Sequence, residues 1–262
     1  MLLRAIIAFL FALPASSMSR SVLSSRRTLR LLASTTANND APTPRPRGFG
    51  KPAPPRSQNL LIVGLGNPGN EYDGTRHNVG FAALDAFAAS YQGVFKSTSK
   101  FGADYGAVRI GTKNVGLLKP TTYINNSGKP LKAIMTHFKL SPADILVLAD
   151  DVALDCGDVR LKGKGSHGGH NGLRDIEAVL GTREYARVHI GVGAPPGGRG
   201  GLVEHVLGAF SGGEAAAMSE ALAHSCDVCR DWCELDDLQT VLNKYRSPAG
   251  IKAMKKLEPE AE

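Results

Sequence analysis

Beyond residue 58 the apolar positions follow two rhythms, and the two alternate along the chain. Short runs rich in Val, Ile and Leu at 59–64, 103–111, 114–119, 145–150, 157–163 and 186–192 have the length and the bounding turn residues of strands. Between them, apolar residues at spacings of three and four predict helices near 78–91, 127–139, 171–180 and 212–244, with room for a break in the last. Phe81, Leu84, Ala88 and Tyr91 make the first stripe. Leu131, Ile134, Met135 and Phe138 make the second, beneath Asn126 and Ser127, which are suited to cap it. Runs 103–111 and 114–119 are separated only by the turn at Gly111 to Lys113, so at least one hairpin is expected and the sheet should be mixed. Neither an internal repeat nor a second Pro/Gly linker interrupts the series. The pattern predicts one α/β domain over 58–250, a twisted mixed sheet flanked by helices, with a charged tail at 251–262.

The first 57 residues break both rhythms. Residues 5–13, AIIAFLFAL, are too short to span a bilayer and are followed by PASS, as in a signal peptide with its cleavage site. From Ser19 to Ala37 the chain is rich in Ser and Arg, and no acid appears before Asp40, which is transit-peptide composition. Residues 41–58 are a Pro-rich linker not expected to pack. Residues 1–57 therefore read as a disordered targeting presequence and linker. A signal-like segment followed by a transit-like one points to a plastid wrapped in extra membranes, with the mitochondrion as alternative and a mature form off the membrane. The basic second segment and the lack of a disulfide framework among four cysteines disfavour plain secretion.

Charge changes the picture once it is apportioned. The formal net charge is +7, but residues 1–57 hold nine Lys/Arg and one acid, leaving 22 basic against 23 acidic residues in the rest. Any nucleic-acid contact must come from local patches and not from the global field. Arg160, Lys162 and Lys164 alternate with Val159, Leu161 and Gly163 and are placed to line one strand face.

Two tempting motifs fall away. Gly64, Gly66 and Gly69 spell G-x-G-x-x-G after an apolar run, but Pro68, Asn70, Asp73, Gly74 and Asn78 follow where a dinucleotide site needs a helix, and no strand-end acid sits at the required distance. The glycines instead allow a sharp turn that exposes Asn67 and His77. Cys226, Cys229 and Cys233 include a C-x-x-C, yet no fourth ligand pair accompanies them, and spacings of three and four put them on one helix face as small apolar residues. No metal and no cofactor is expected.

Polar side chains gather at the expected strand ends in KPTTYINNSGKP (119–130), LADD (148–151) and GSHGGHNGLRD (165–175), where α/β sites form. In the last, glycines allow close approach to a ligand, Asn171 heads a helix as its cap, and His167 and His170 read as hydrogen-bonding groups of a tight loop. At this point GLGNPGxxYxxTRHNxG, PTTYINNSG and GxGGHNGLRD together resemble the signatures of bacterial-type peptidyl-tRNA hydrolases, in family order, from about Leu60 to about Arg246.

The resemblance implies a monomeric, phosphorylase/hydrolase-like fold and metal-independent cleavage of the ester joining a peptide to the 3′ ribose of tRNA. It puts the catalytic histidine on His77, its orienting acid on Asp150, and substrate-positioning asparagines on Asn67, Asn125 and Asn171. Tyr72 and Tyr123 fall on aromatic positions lining the peptide and terminal-adenosine site. An imidazole suits the removal of a proton from water near neutral pH, a carboxylate on its far nitrogen fixes the tautomer, and amide N–H groups of Asn67 or Asn125 favour the oxyanion. Asp151 competes with Asp150, and register with the family motifs chooses Asp150. Lys162 and His189, with Arg160 beside them, are the implied tRNA phosphate contacts. His189 departs from the family, which commonly carries arginine there. The expected partner is peptidyl-tRNA in organellar translation. The alternative is an RNA-binding protein such as a group II intron splicing factor, since some plant plastid relatives serve that role. A generic esterase would want a G-x-S-x-G elbow, which is lacking.

Overall fold

The computed structural model describes residues 57–196 and 198–245. The presequence, most of the linker and the 251–262 tail lie outside the described residues. Among the described residues, seven strands, β1 (Asn59–Gly64), β2 (Lys96–Thr98), β3 (Ala103–Ile110), β4 (Lys113–Pro120), β5 (Ile145–Asp151), β6 (Val159–Lys162) and β7 (Ala186–Gly191), form one sheet in the order β2-β3-β4-β1-β5-β7-β6. It is mixed, as the hairpin required. β1 is parallel to β4 and β5, β5 is parallel to β7, and the β2/β3, β3/β4 and β6/β7 pairs are antiparallel. The helices are α1 (Val79–Ser90), α2 (Gly128–Phe138), α3 (Asn171–Leu180), α4 (Leu202–Leu207), α5 (Ala215–Glu234) and α6 (Leu238–Lys244).

Strand alternation sorts the core onto two faces. Leu60, Ile62, Leu146 and Leu148 bury against Phe87 of α1 and Leu222, Cys229 and Trp232 of α5. Leu61, Val63, Ile145 and Val147 bury against Leu131 and Ile134 of α2 and Leu173 and Ile176 of α3. Helices thus cover both faces: the chain leaves β1 into α1 on the first face, whereas the neighbouring β4 leads into α2 on the second. That switch point opens a crevice beyond the ends of β1 and β5.

Two glycines let the first helix close over the crevice. A Cβ on Gly64 would come within 2.5 Å of the Gly80 carbonyl oxygen, and one on Gly80 would come as close to Leu148 O. Only a bare backbone permits that approach. It presses the turn before α1, Arg76–Asn78, onto the ends of β1 and β5.

Several details differ from the sequence reading. The helix expected over 212–244 starts at Ala215 after a 3-10 turn, Gly212–Glu214, and breaks between Glu234 and Leu238. Strand 157–163 is shorter, Val159–Lys162, because Gly157 adopts φ 98° in the preceding loop. β2 and α4 were not expected. Ser127 precedes α2 but makes no side-chain cap; its hydroxyl donates instead to Ile124 O at 2.8 Å. Asn126 belongs to the 3-10 turn Ile124–Asn126. Cys229 and Cys233 are fully buried on α5, and burial pushes the Cys229 thiol far up, consistent with an apolar role.

Candidate active site

The turn Arg76–Asn78 presents three successive side chains to three different elements. Asn78 lies against the end of β1: its Oδ1 accepts from Asn67 N at 2.8 Å and its Nδ2 donates to Asn67 O at 2.9 Å. His77 reaches β5, with Nδ1 2.8 Å from Asp150 Oδ1. Arg76 reaches away from the sheet, toward the connection between α4 and α5.

A second imidazole meets the same carboxylate oxygen. His170 is the N-cap residue of α3, where Asn171 was expected to cap; Asn171 is the first helical residue, and its Oδ1 accepts from Arg174 Nη1 at 3.0 Å. His170 Nδ1 accepts from Leu173 N at 3.2 Å, while Nε2 lies 2.9 Å from Asp150 Oδ1. These contacts fix its protons: a nitrogen that accepts a backbone N–H carries no hydrogen, so the hydrogen is on Nε2 and points at the carboxylate. His170 thereby has both nitrogens engaged. His77 donates Nδ1–H to the same oxygen and keeps Nε2 as an unshared lone pair.

Asp150 is 4% exposed, so its charge must be offset locally. Burial alone would raise its carboxyl; the facing His170 and His77 rings outweigh burial and hold it well below the usual carboxylate range. The residue is a carboxylate at any working pH. His77, Asp150 and His170 also have ligand atoms within 4.8 Å of one another, a set that could chelate a metal ion. Their contacts at 2.8 and 2.9 Å are hydrogen bonds between ring N–H groups and one oxygen, so each nitrogen facing Asp150 is already committed to a proton.

Next along β5, Asp151 makes a separate pair. Its Oδ2 is 3.0 Å from His189 Nδ1 and 3.7 Å from Lys162 Nζ. His189 lies opposite Arg160, and Arg187 opposite Lys162, across the β6/β7 pair, so the four share a face as their spacing required. Their surroundings differ from one another. Arg187 is 1% exposed, with Nη2 donating to Gly165 O at 2.7 Å and Arg183 O at 3.0 Å and Nη1 3.4 Å from Glu177, so it does not approach a phosphate beside Lys162. His189 is buried too, and burial ahead of its neighbours lowers its pKa despite the Asp151 hydrogen bond. Arg160 is exposed on β6.

A cleft of about 260 Å³ joins the two pairs. Its polar wall includes His77, Asp150, Asp151, Lys162, Asn171 and His189, and its apolar wall is Leu202, Val203, Val206 and Leu207 of α4. Leu202, Val203 and Leu207 keep large exposed surfaces there. Asn67, Tyr72, Tyr123 and Asn125 lie outside this lining, around the end of β1. Asn67 Oδ1 accepts from Ile124 N at 2.9 Å, which commits the oxygen and leaves the amide N–H₂ as the donating end. Tyr123 is 58% exposed and meets Tyr72 edge-on at 6.4 Å, and Asn125 is exposed one residue beyond Ile124. The residues named from the sequence thus form two neighbouring groups joined by the turn that carries His77. Sequence reasoning missed His170 as a partner of Asp150 and α4 as the apolar wall.

An α/β enzyme with an imidazole–carboxylate pair at the switch point of its sheet is the class that this fold and site define. The family profile described as peptidyl-tRNA hydrolase matches residues 61–255, and the chain belongs to that family. It is 43% identical over 190 residues to the peptidyl-tRNA hydrolase of Rhodopirellula baltica, covering 72% of this chain and 98% of the relative. With the Clostridium beijerinckii peptidyl-tRNA hydrolase it shares 42% over 194 residues, 74% of this chain and 97% of that one. The crystal structure of peptidyl-tRNA hydrolase from Acinetobacter baumannii superposes with a TM-score of 0.69 at 35% identity, covering 73% of this chain and 96% of that chain.

Proposed function

We propose that this peptidyl-tRNA hydrolase acts in organellar translation, releasing tRNA from peptidyl-tRNA that has left the ribosome early, with His77 as general base. The unshared Nε2 of His77, held over the cleft by Asp150 on the other nitrogen, carries this reading. Nε2 takes a proton from water as the water oxygen attacks the ester carbonyl, and Asp150 stabilises the imidazolium that forms. The amide N–H₂ of Asn67 is the donor offered to the developing oxyanion, with Asn125 in support. When the tetrahedral intermediate collapses, the imidazolium returns its proton to the 3′ oxygen of the ribose. Tyr72 and Tyr123 offer flat faces to the peptide and terminal adenosine, and Asn171 lines the cleft beside the reacting atoms. Lys162, Arg160 and His189 supply the positive edge for tRNA phosphate, and the protein works as a monomer.

Composition of residues 1–57 supports a plastid address, with the mitochondrion as alternative. Incubating the full chain with N-blocked and with unblocked aminoacyl-tRNA tests the activity: rapid release of only the blocked amino acid is expected, and equal release of both would contradict it. A fluorescent fusion of residues 1–57 should enter the plastid of a cell with complex plastids; mitochondrial labelling would overturn the plastid assignment.

A further inference from the structure

Arg76 immediately precedes the base and is among the most heavily tethered side chains near the site. Its Nη2 reaches both oxygens of Glu214, at 3.1 and 2.9 Å. Its Nη1 donates to Ala209 O at 2.8 Å, with His205 O at 3.5 Å. The backbone joins in: Arg76 N donates to Gly208 O at 3.0 Å, and Thr75 bridges Ala209 antiparallel. The guanidinium also lies 5.2 Å from the centre of the Phe210 ring. All of these contacts except the one to His205, which lies within α4, fall on the segment that leaves α4 and enters α5.

Glu214 serves both sides of that segment. Its Oε2 accepts from Ser211 N and from Ser211 Oγ, each at 2.7 Å, closing the turn that starts α5. Burial would raise its carboxyl, but the Ser211 and Arg76 hydrogen bonds hold it down at about 2. A permanently charged carboxylate therefore ties the connection to the turn that carries His77. α4 hangs from this connection, and is held again within the helix by His205 Nε2, 2.9 Å from Gly193 O. Leu202, Val203, Val206 and Leu207 face the cleft from this helix.

We propose that Arg76 and Glu214 are positioning residues for the reaction: their ion pair, made through Nη2 while Nη1 holds Ala209 O, sets the separation between His77 and the apolar wall of α4. An apolar last residue of the peptide, seated on that wall, then presents its ester carbonyl to Nε2 of His77. The inference rests on the reading of His77 as base, which substitution of His77 itself tests separately. The guanidinium spreads its donors over two partners, Nη2 on Glu214 and Nη1 on Ala209 O, whereas lysine would offer a single point of attachment.

The test compares Glu214→Gln, Arg76→Lys and Ser211→Ala in the full chain. kcat and KM are measured on N-blocked leucyl- and glycyl-tRNA, well below the melting temperature of the weakest variant. Ser211→Ala removes a turn contact but spares the ion pair, so it should lower melting temperature and leave kcat within about two-fold. Glu214→Gln retains an acceptor for Ser211 but loses the charge that pairs with Arg76 Nη2. Because misplacement on the order of 1 Å costs up to ~10²-fold, it should lower kcat by about ten-fold or more, with the larger loss and a raised KM on the leucyl substrate. Arg76→Lys should fall between wild type and Glu214→Gln. The proposal is overturned if Glu214→Gln keeps kcat within about two-fold of wild type on both substrates, or if it loses activity equally on both.

Discussion

His77 and His170 face each other with ring centres 5.0 Å apart and share one oxygen of Asp150, yet only one of them has a nitrogen to spare. His170 spends Nδ1 on the first turn of α3, so it cannot work as a base without giving up that cap. The division of labour follows from the hydrogen bonds.

Substituting His170 should separate its two tasks. Asparagine can cap a helix but is too short to reach Asp150, whereas alanine can do neither. His170→Asn should therefore be more stable than His170→Ala by about 1 kcal/mol, while both lose a similar fraction of kcat. Denaturant unfolding beside steady-state kinetics reads both effects, and equal stability would show that the Leu173 contact is energetically idle.

The two adjacent aspartates make a sharper contrast. Asp150→Asn replaces an acceptor-only carboxylate that holds two imidazoles, so kcat should fall by about 10²-fold or more. Asp151→Asn disturbs the His189 pair and should cost much less. A reversed order in single-turnover rates would mean that the orienting acid is Asp151.

Most of the sheet was legible because alternation and turn residues are local signals: every long strand run survives, with the 157–163 run shortened. β2 was hidden because Lys96, Ser97 and Thr98 carry no apolar pattern and owe their strand state to pairing with β3. α4 was hidden because its six residues follow a glycine-rich approach and its apolar side chains face a cleft, not the core. His77 and Asp150 could be named from motifs, but the bond between them joins residues 73 apart in sequence, which no local pattern encodes. The role of His170 was obscured for the same reason: Asn171 looks like the better cap until the carboxylate is seen on the other side of the ring. Alternation along the 186–192 run could not reveal that Glu177, Asp151 and the 165–166 backbone bury Arg187 and His189.

Acid stability follows from the depressed carboxyls. Asp150 and Glu214 have folded-state pKa values below their ordinary ones, Glu214 at about 2, so each contributes stability that is full above the unfolded-state value. That contribution is lost as pH falls through about 4 toward 2. His189 adds in the same direction: its lowered pKa means that the unfolded chain binds the proton more readily, so stability declines as pH falls below about 6.5. Urea unfolding from pH 8 to 3 should show both declines, and Glu214→Gln should flatten the lower one. An unchanged lower limb in that variant would contradict the assignment.

His189 should also leave a mark on substrate choice. A buried, neutral imidazole whose Nδ1 is committed to Asp151 grips phosphate less well than a forked, permanently charged guanidinium. At low salt and about pH 8, His189→Arg should raise the ratio of kcat/KM for 5′-phosphorylated over dephosphorylated substrate by a few-fold. Since Arg187 is already occupied by Gly165, Arg183 and Glu177, Arg187→Ala should destabilise the fold without changing that ratio. A ratio that falls in Arg187→Ala and ignores His189→Arg would move the phosphate contact.

The central claim is that His77 Nε2 removes the proton from the attacking water with no metal between them. The most direct measurement is turnover of N-blocked aminoacyl-tRNA by the full chain and by His77→Ala, with a strong chelator present throughout and tRNA affinity measured alongside. Wild-type activity should persist under chelation, and His77→Ala should lose at least about 10²-fold in kcat with affinity nearly unchanged. Near-normal turnover in His77→Ala, or wild-type activity abolished by the chelator and restored by zinc, would contradict it.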